Sequence, residues 1–109
     1  MNIAILGTGS WGIALACALS EKNSVTLWSY SKEEIEKLKE TGKNEKHLPG
    51  VLIPEDVMFE ASLKKAVIKN DIILFAVPSF AIREIAKKIR TFFNEKKMPK
   101  HLCIHLVYC

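Results

Sequence analysis

Asn2-Ile3-Ala4-Ile5-Leu6-Gly7-Thr8-Gly9-Ser10-Trp11-Gly12 is the stretch on which the fold turns. Its first five residues form an apolar run ended by glycine, which fits a buried strand better than a helix. From Ser10 to Lys22 the chain is rich in Ala and Leu and breaks at Asn23, which predicts a helix. A G-x-G-x-x-G pattern therefore sits at a strand-to-helix turn, where each glycine has a distinct use. Gly7 suits the tight turn, Gly9 leaves room for a pyrophosphate to approach the backbone, and Gly12 lets the helix press against the strand. The helix N-terminus adds free N–H groups and the positive end of a dipole, both of which favour an anion.

Working outward, Val25 to Trp28 reads as a second strand, and Ser31 with Glu34 three residues on is a capping-box signature opening a second helix. Gly42 to Pro54 is a loop by its Gly, Asn and Pro content, followed by a short extended piece near Val57 to Phe59. Ser62 caps a short helix to about Lys69. Asp71 to Val77 is a continuous apolar run that fits a central parallel strand covered on both faces, and Pro78 stops it. Ser79 opens a helix whose Ile82, Ile85, Ile89, Phe92 and Phe93 recur at helical spacing, and His101 to Tyr108 alternates as a final strand. Strands alternating with helices need crossover connections, so the fold class is α/β: a Rossmann-type doubly wound parallel sheet, as a single domain over residues 1–109.

With 49% hydrophobic and 26% charged residues, the chain has the balance of a folded globular protein, and 109 residues leave no room for a second domain. The net charge of +4 comes from lysines that alternate with glutamates, as between Lys32 and Lys46, which marks solvated helix faces and argues against a nucleic-acid partner. No window approaches the ~18 apolar residues of a membrane span, and Met1 leads almost directly into a strand, so a cytoplasmic location is expected. Three cysteines without paired short spacing argue against a disulfide framework, and Cys17 is expected to pack as a small apolar residue. His101, Cys103 and His105 would share one strand face with Cys109 close behind, but they are poorly aimed at a tetrahedral centre, so no metal is expected.

An NAD-specific domain places Asp or Glu about 20 residues beyond the glycine loop, against the ribose hydroxyls. Here the corresponding stretch is Trp28-Ser29-Tyr30-Ser31-Lys32, which offers no carboxylate. A 2′-phosphate would then meet no repulsion, and Lys32 or the serine hydroxyls could receive it, which favours NADPH. Ser31 has two readings, a helix cap and a ligand contact, made through different atoms.

Four blocks in order, G-T-G-S-W-G-I-A-L-A, V-T-L-W-S, N-E-K-H-L-P-G-V-L-I-P and D-I-I-L-F-A-V-P-S, resemble bacterial-type NAD(P)-dependent glycerol-3-phosphate dehydrogenase over about Met1 to Ile104. The resemblance implies NADPH or NADH as cofactor and reversible reduction of dihydroxyacetone phosphate to sn-glycerol 3-phosphate, at the head of glycerophospholipid synthesis. It further implies that Ser10 and Trp11 lie on the cofactor beside Gly7, Gly9 and Gly12, and that Val77-Pro78-Ser79 borders the nicotinamide side. For Pro78, a plain strand terminator is an equal reading. Tyr30 stands where the family commonly carries Arg or His near the adenosine phosphate, which leaves both nucleotides open.

The family's Ser-Lys-Gly or Thr-Lys-Gly segment, whose lysine contacts cofactor and substrate, has no counterpart in the ending from His101 to Cys109, which diverges at about residues 101–109. The family's helical, substrate-closing domain is likewise absent from these residues. No catalytic residue is therefore assigned, and the chain is expected to bind cofactor without turning over substrate. The alternatives are a non-enzymatic or degenerate dinucleotide-binding module, and another Rossmann dehydrogenase acting on hydroxy acids. The latter tends to carry an acidic residue after the second strand and lacks the L-P-G-x-x-x-P loop of Leu48 to Pro54.

Overall fold

Every apolar run read as a strand forms one. In the computed structural model, which describes residues 1–46, 48–93 and 103–106, the strands are β1 (Asn2–Leu6), β2 (Ser24–Trp28), β3 (Met58–Glu60), β4 (Ile72–Phe75) and β5 (Cys103–Leu106). They alternate with α1 (Ser10–Leu19), α2 (Lys32–Thr41), α3 (Leu63–Ile68) and α4 (Ser79–Phe93). All strand pairings are parallel and the order is β3-β2-β1-β4-β5, the Rossmann-type sheet expected. The chain steps outward from β1 to β3, then crosses back to place β4 on the other side of β1. That reversal opens a crevice at the carboxyl ends of β1 and β4, where sheets of this kind take ligands. Leu6 lies opposite both Trp28 and Phe75, so Gly7, Ser29 and Ala76 follow at one level along the rim.

Two apolar layers form because strand side chains alternate in direction. Ile3, Ile5, Val25 and Leu27 point to one face and pack with Ile13 and Ala16 of α1 and Ile35 and Leu38 of α2. Ala4, Leu6, Ile73 and Phe75 point to the other and meet Ala66 and Val67 of α3 and Ile85 and Ile89 of α4. A strand covered on both faces has no polar side, which is why β1 and β4 read as unbroken apolar runs. Cys17 packs against the first layer, as expected of a small apolar residue, and burial pushes its thiol pKa up.

Element ends differ from the sequence reading for local reasons. The first helix closes at Leu19, three residues early, because the backbone N–H and the side-chain Nδ2 of Asn23 both donate to the Leu19 carbonyl, each at 3.0 Å. At the start of α2, Ser31 Oγ accepts the Glu34 N–H at 3.2 Å, which is half of a capping box. The other half is not made: Ser29 Oγ accepts the Ser31 N–H at 3.2 Å, and the Glu34 carboxylate turns elsewhere. Gly42 ends α2 in the left-handed conformation, φ 69°, with its N–H on the Leu38 carbonyl at 2.8 Å. The loop that follows folds back on itself through an antiparallel bridge between Lys43 and Leu52, and it seats Ile53 in the core and Asn44 beneath the glycine turn. Of the tail residues weighed as metal ligands, His101 and Cys109 lie outside the described residues, and Cys103 and His105 are described in their backbone alone.

Candidate dinucleotide cleft

The glycine turn is built by backbone contacts that side chains would block. Gly7 leaves β1 with φ 131°, its N–H on the Trp28 carbonyl at 2.8 Å, and a Cβ placed on it would lie 2.2 Å from the Ala76 carbonyl oxygen. A Cβ on Gly12 would lie 2.0 Å from the Gly7 carbonyl oxygen, so α1 is pressed directly onto the turn. At Gly9 a Cβ would meet nothing within 4 Å. Gly7 and Gly12 are thus glycines because protein surrounds them, and Gly9 faces open space.

Gly9 also caps α1 in extended conformation, and it has no side chain of its own to close the helix N-terminus. The first turn of the helix presents its positive end to a cleft of about 340 Å³. Gly7 to Trp11, Ser29, Tyr30, Glu34 and Ala76 to Pro78 line this cleft, which spans the crevice between the ends of β1, β2 and β4. Pro78 accepts the Ala81 N–H at 2.9 Å and is exposed at the start of α4, so it both ends the β4 segment and borders the cleft. A second, more apolar hollow of about 440 Å³ continues from it past Tyr30, Val77 and Pro78 to Phe80, Ala81 and Glu84. Trp11, Tyr30 and Phe80 are 53%, 63% and 83% exposed, so three large rings edge the two spaces with little protein over them. Tyr30 is held edge-on to Trp28, ring centroids 6.0 Å apart, with Lys88 Nζ 5.2 Å from its own centroid.

One residue at this rim was not anticipated from the sequence. No carboxylate follows β2 directly in sequence, yet the first turn of α2 carries Glu34 back into the cleft. Thr8 Oγ1 donates to its Oε1 at 2.6 Å, Asn44 Nδ2 donates to the same oxygen at 2.8 Å, and Ser29 Oγ donates to Oε2 at 3.4 Å. Asn44 Nδ2 also reaches the Thr8 carbonyl at 2.7 Å, tying the 42–54 loop to the glycine turn. The sequence reading took Glu34 only as a capping-box partner and did not single out Asn44. Ser31 and Lys32 stand apart: Ser31 caps α2 and borders a separate hollow, while Lys32 is exposed and does not line the cleft. Of the residues singled out from sequence, Gly7, Gly9, Ser10, Trp11, Tyr30 and Pro78 converge on the cleft, with Gly12 packed behind it.

A dinucleotide fits this arrangement by the test of the glycines themselves, because within the turn the one glycine whose missing Cβ opens space, Gly9, lies at the N-terminus of α1. The sequence profile of the family described as NAD-dependent glycerol-3-phosphate dehydrogenase N-terminus matches residues 2–106. The chain belongs to this family. Its relatives include glycerol-3-phosphate dehydrogenase (NAD(P)+) of Fusobacterium nucleatum, 39% identical over 99 residues that cover 90% of this chain and 30% of that protein. A second such enzyme, from Lactobacillus delbrueckii, is 44% identical over 95 residues, covering 86% of this chain and 28% of that protein. The crystal structure of glycerol-3-phosphate dehydrogenase from Coxiella burnetii superposes with a TM-score of 0.86 at 33% identity, over 98% of this chain and 32% of that one. The chain thus spans about 30% of the length of the curated relatives it matches. The family's cofactor is NAD(H) or NADP(H). Among the described residues, no helix is long and apolar enough to cross a membrane.

Proposed function

We propose that this chain is the cofactor-binding part of an sn-glycerol-3-phosphate dehydrogenase that interconverts dihydroxyacetone phosphate and sn-glycerol 3-phosphate with NADH or NADPH, supplying glycerophospholipid synthesis in the cytoplasm. The open space over Gly9 carries the reading. In it, Gly9 and the first turn of α1, with Ser10 and Trp11, receive the pyrophosphate, and Gly7 and Gly12 hold the turn in shape. Tyr30 borders the adenosine side of the cleft and Pro78 the nicotinamide side. When bound, the nicotinamide exchanges hydride with the substrate; these residues bind and orient it. The charge pattern, lysines interleaved with glutamates on helix faces, supports a protein without a nucleic-acid partner.

Trp11 at the rim provides the test. Titration with NADH should quench tryptophan emission saturably, and a flat titration by both emission and calorimetry would sink the reading. A second reading, a dinucleotide-binding module without turnover, is favoured by one observation: among the described residues, no Lys or Arg lines the cleft. Carbonyl reduction needs a donor at the developing oxyanion and a held substrate, and orientation alone is worth about 7–11 kcal/mol of a barrier. Residues 1–109 are therefore expected to bind nucleotide without oxidising NADH in the presence of dihydroxyacetone phosphate. The same domain joined to a family-like substrate domain is expected to turn over.

A further inference from the structure

The two helix layers that cover the sheet carry very different charge. On one face α1 has no charged residue, and α2 holds three lysines against four glutamates, the interleaved pattern of a solvated helix. On the other, α3 with its capping Lys69 holds three lysines and α4 holds four Lys or Arg, with Glu84 the one carboxylate in either helix. Counting Glu60 and Asp71, which flank α3 in the chain, still leaves seven cations against three carboxylates. All seven are exposed, because Ala66 and Val67 of α3 and Ile85 and Ile89 of α4 turn the apolar sides of these helices to the sheet. The two helices lie against each other, so the charges merge into one basic face. That face covers one side of the sheet, whereas the dinucleotide cleft opens at the strand ends, so a partner can cover the face and leave the cleft open. Phe80, which also edges the second hollow, stands 83% exposed two helical turns before Lys87 on the same line of α4.

We infer that the outer face of α3 and α4 is a docking surface for a lipid bilayer bearing anionic headgroups. Five of the seven cations are lysines, compact charges on flexible stems that need no fixed register with their partner. Such charges suit a fluid array of headgroups. A single-stranded nucleic acid is instead tracked by a cationic groove, and two packed helices present a broad outer face. Phe80 adds a ring of the kind that seats at the boundary between headgroups and acyl chains. Under the function proposed above the product is esterified into lipid, which gives a bilayer contact a use, but the inference stands on charge placement and goes beyond that reading. The attraction is between surface charges, so salt must reverse it.

The experiment is sedimentation of the full 109-residue chain with vesicles of phosphatidylglycerol and phosphatidylcholine in equal parts, beside vesicles of phosphatidylcholine alone. The native chain should bind the first at least about tenfold more strongly than the second. Salt at ~1 M, which shortens the screening length to ~3 Å, should release it. Each Lys or Arg near such a surface is worth about fivefold in partitioning, so the triple variant Lys65→Glu, Arg83→Glu, Lys87→Glu should bind at least about tenfold more weakly. The triple variant Lys22→Glu, Lys37→Glu, Lys39→Glu makes the same change in net charge on the α1 and α2 side and should stay within about threefold of native. Circular dichroism checks the fold of each. Lys65→Gln, Arg83→Gln, Lys87→Gln removes the charges without reversing them, and it should lose binding in the same direction even where the glutamate variant fails to fold. Equal binding to both kinds of vesicle, equal loss in the two folded glutamate variants, or tighter binding to a mixed-sequence single-stranded RNA than to the anionic vesicles would overturn the inference. No nucleotide cofactor enters the test, so its failure and that of the dinucleotide reading are distinguishable.

Discussion

The glycine turn and the corner between β2 and α2 face each other across one cleft, and they yield to sequence reading very differently. At the turn, position in the chain determines position in space: Gly7, Gly9 and Gly12 are spaced by the geometry of one strand, one turn and one helix. At the corner, the side chains adjacent to β2 in sequence are not the ones that enter the cleft. Ser31 is committed to the helix cap and Lys32 to solvent, and Glu34, one helical turn on, is turned inward by donors from residues 8, 29 and 44. A short-range motif is legible because its contacts are local. A contact network of sequence separation 26 and 36 is not.

The sharpest way to break the comparison lies within the turn itself. Gly7→Ala sets a Cβ against the Ala76 carbonyl at a φ of 131°, and both faults act at a buried position with no flexible neighbour to yield. The expected loss is at least ~3 kcal/mol of stability by analogy with other severe backbone strain and overpacking, read as a shift in the urea midpoint. Gly9→Val, next in size, should cost only ~1 kcal/mol, that of an apolar residue at a helix N-cap, since its side chain enters empty space, yet weaken nucleotide binding by about a hundredfold or more, equivalent to ~2.7 kcal/mol. If both variants unfolded, or neither lost binding, the division of labour among the glycines would be wrong.

Much of the fold was legible for the same reason the turn was. The unbroken apolar character of residues 3–6 and Ile72–Phe75 follows from cover on both faces of the sheet, and the strand–helix alternation left only a parallel sheet. Strand order was not written in the residues, because nothing in the alternation says on which side of β1 the chain returns as β4. Within the site, the glycines were found because they lie at a strand-to-helix turn, and Ser10, Trp11, Tyr30 and Pro78 were placed there by the family resemblance. Asn44 was not, because a lone Asn in a loop after a glycine cap looks like any turn residue, and only its burial marks it. The block N-E-K-H-L-P-G held the signal, but no periodicity or spacing tied it to Thr8.

Asn44 supplies the third prediction, which sharpens the comparison from the corner's side. Asn44→Ala removes donors from the Thr8 carbonyl and from Glu34 Oε1 at a site 8% exposed, so water cannot freely replace them. The expected cost is about 1–3 kcal/mol in the urea midpoint. Because the amide holds Thr8 and Glu34 together, nucleotide affinity should fall as well, by a smaller factor than in Gly9→Val. A variant as stable and as tight-binding as the native chain would mean that the 42–54 loop does not support the turn.

The smallest effect is expected at Ser31, where the sequence left a cap and a ligand contact both open. In the structure the hydroxyl accepts the Glu34 N–H at 3.2 Å, and the residue borders a different hollow from the one under the glycine turn. Ser31→Ala should therefore cost ~1 kcal/mol of stability, the usual loss when a helix N-cap is removed. Part of even that loss is recoverable, because Glu33 and Glu34 in the first turn still complement the helix dipole. Affinity for NADH and NADPH should each stay within about twofold of native, a difference of ~0.4 kcal/mol. The two nucleotides must be measured side by side, since the alternative makes a specific demand: a serine that bonded a 2′-phosphate would, on losing its hydroxyl, weaken NADPH alone. A selective loss of NADPH affinity in Ser31→Ala would return this residue to the cofactor and overturn its reading as a helix cap alone.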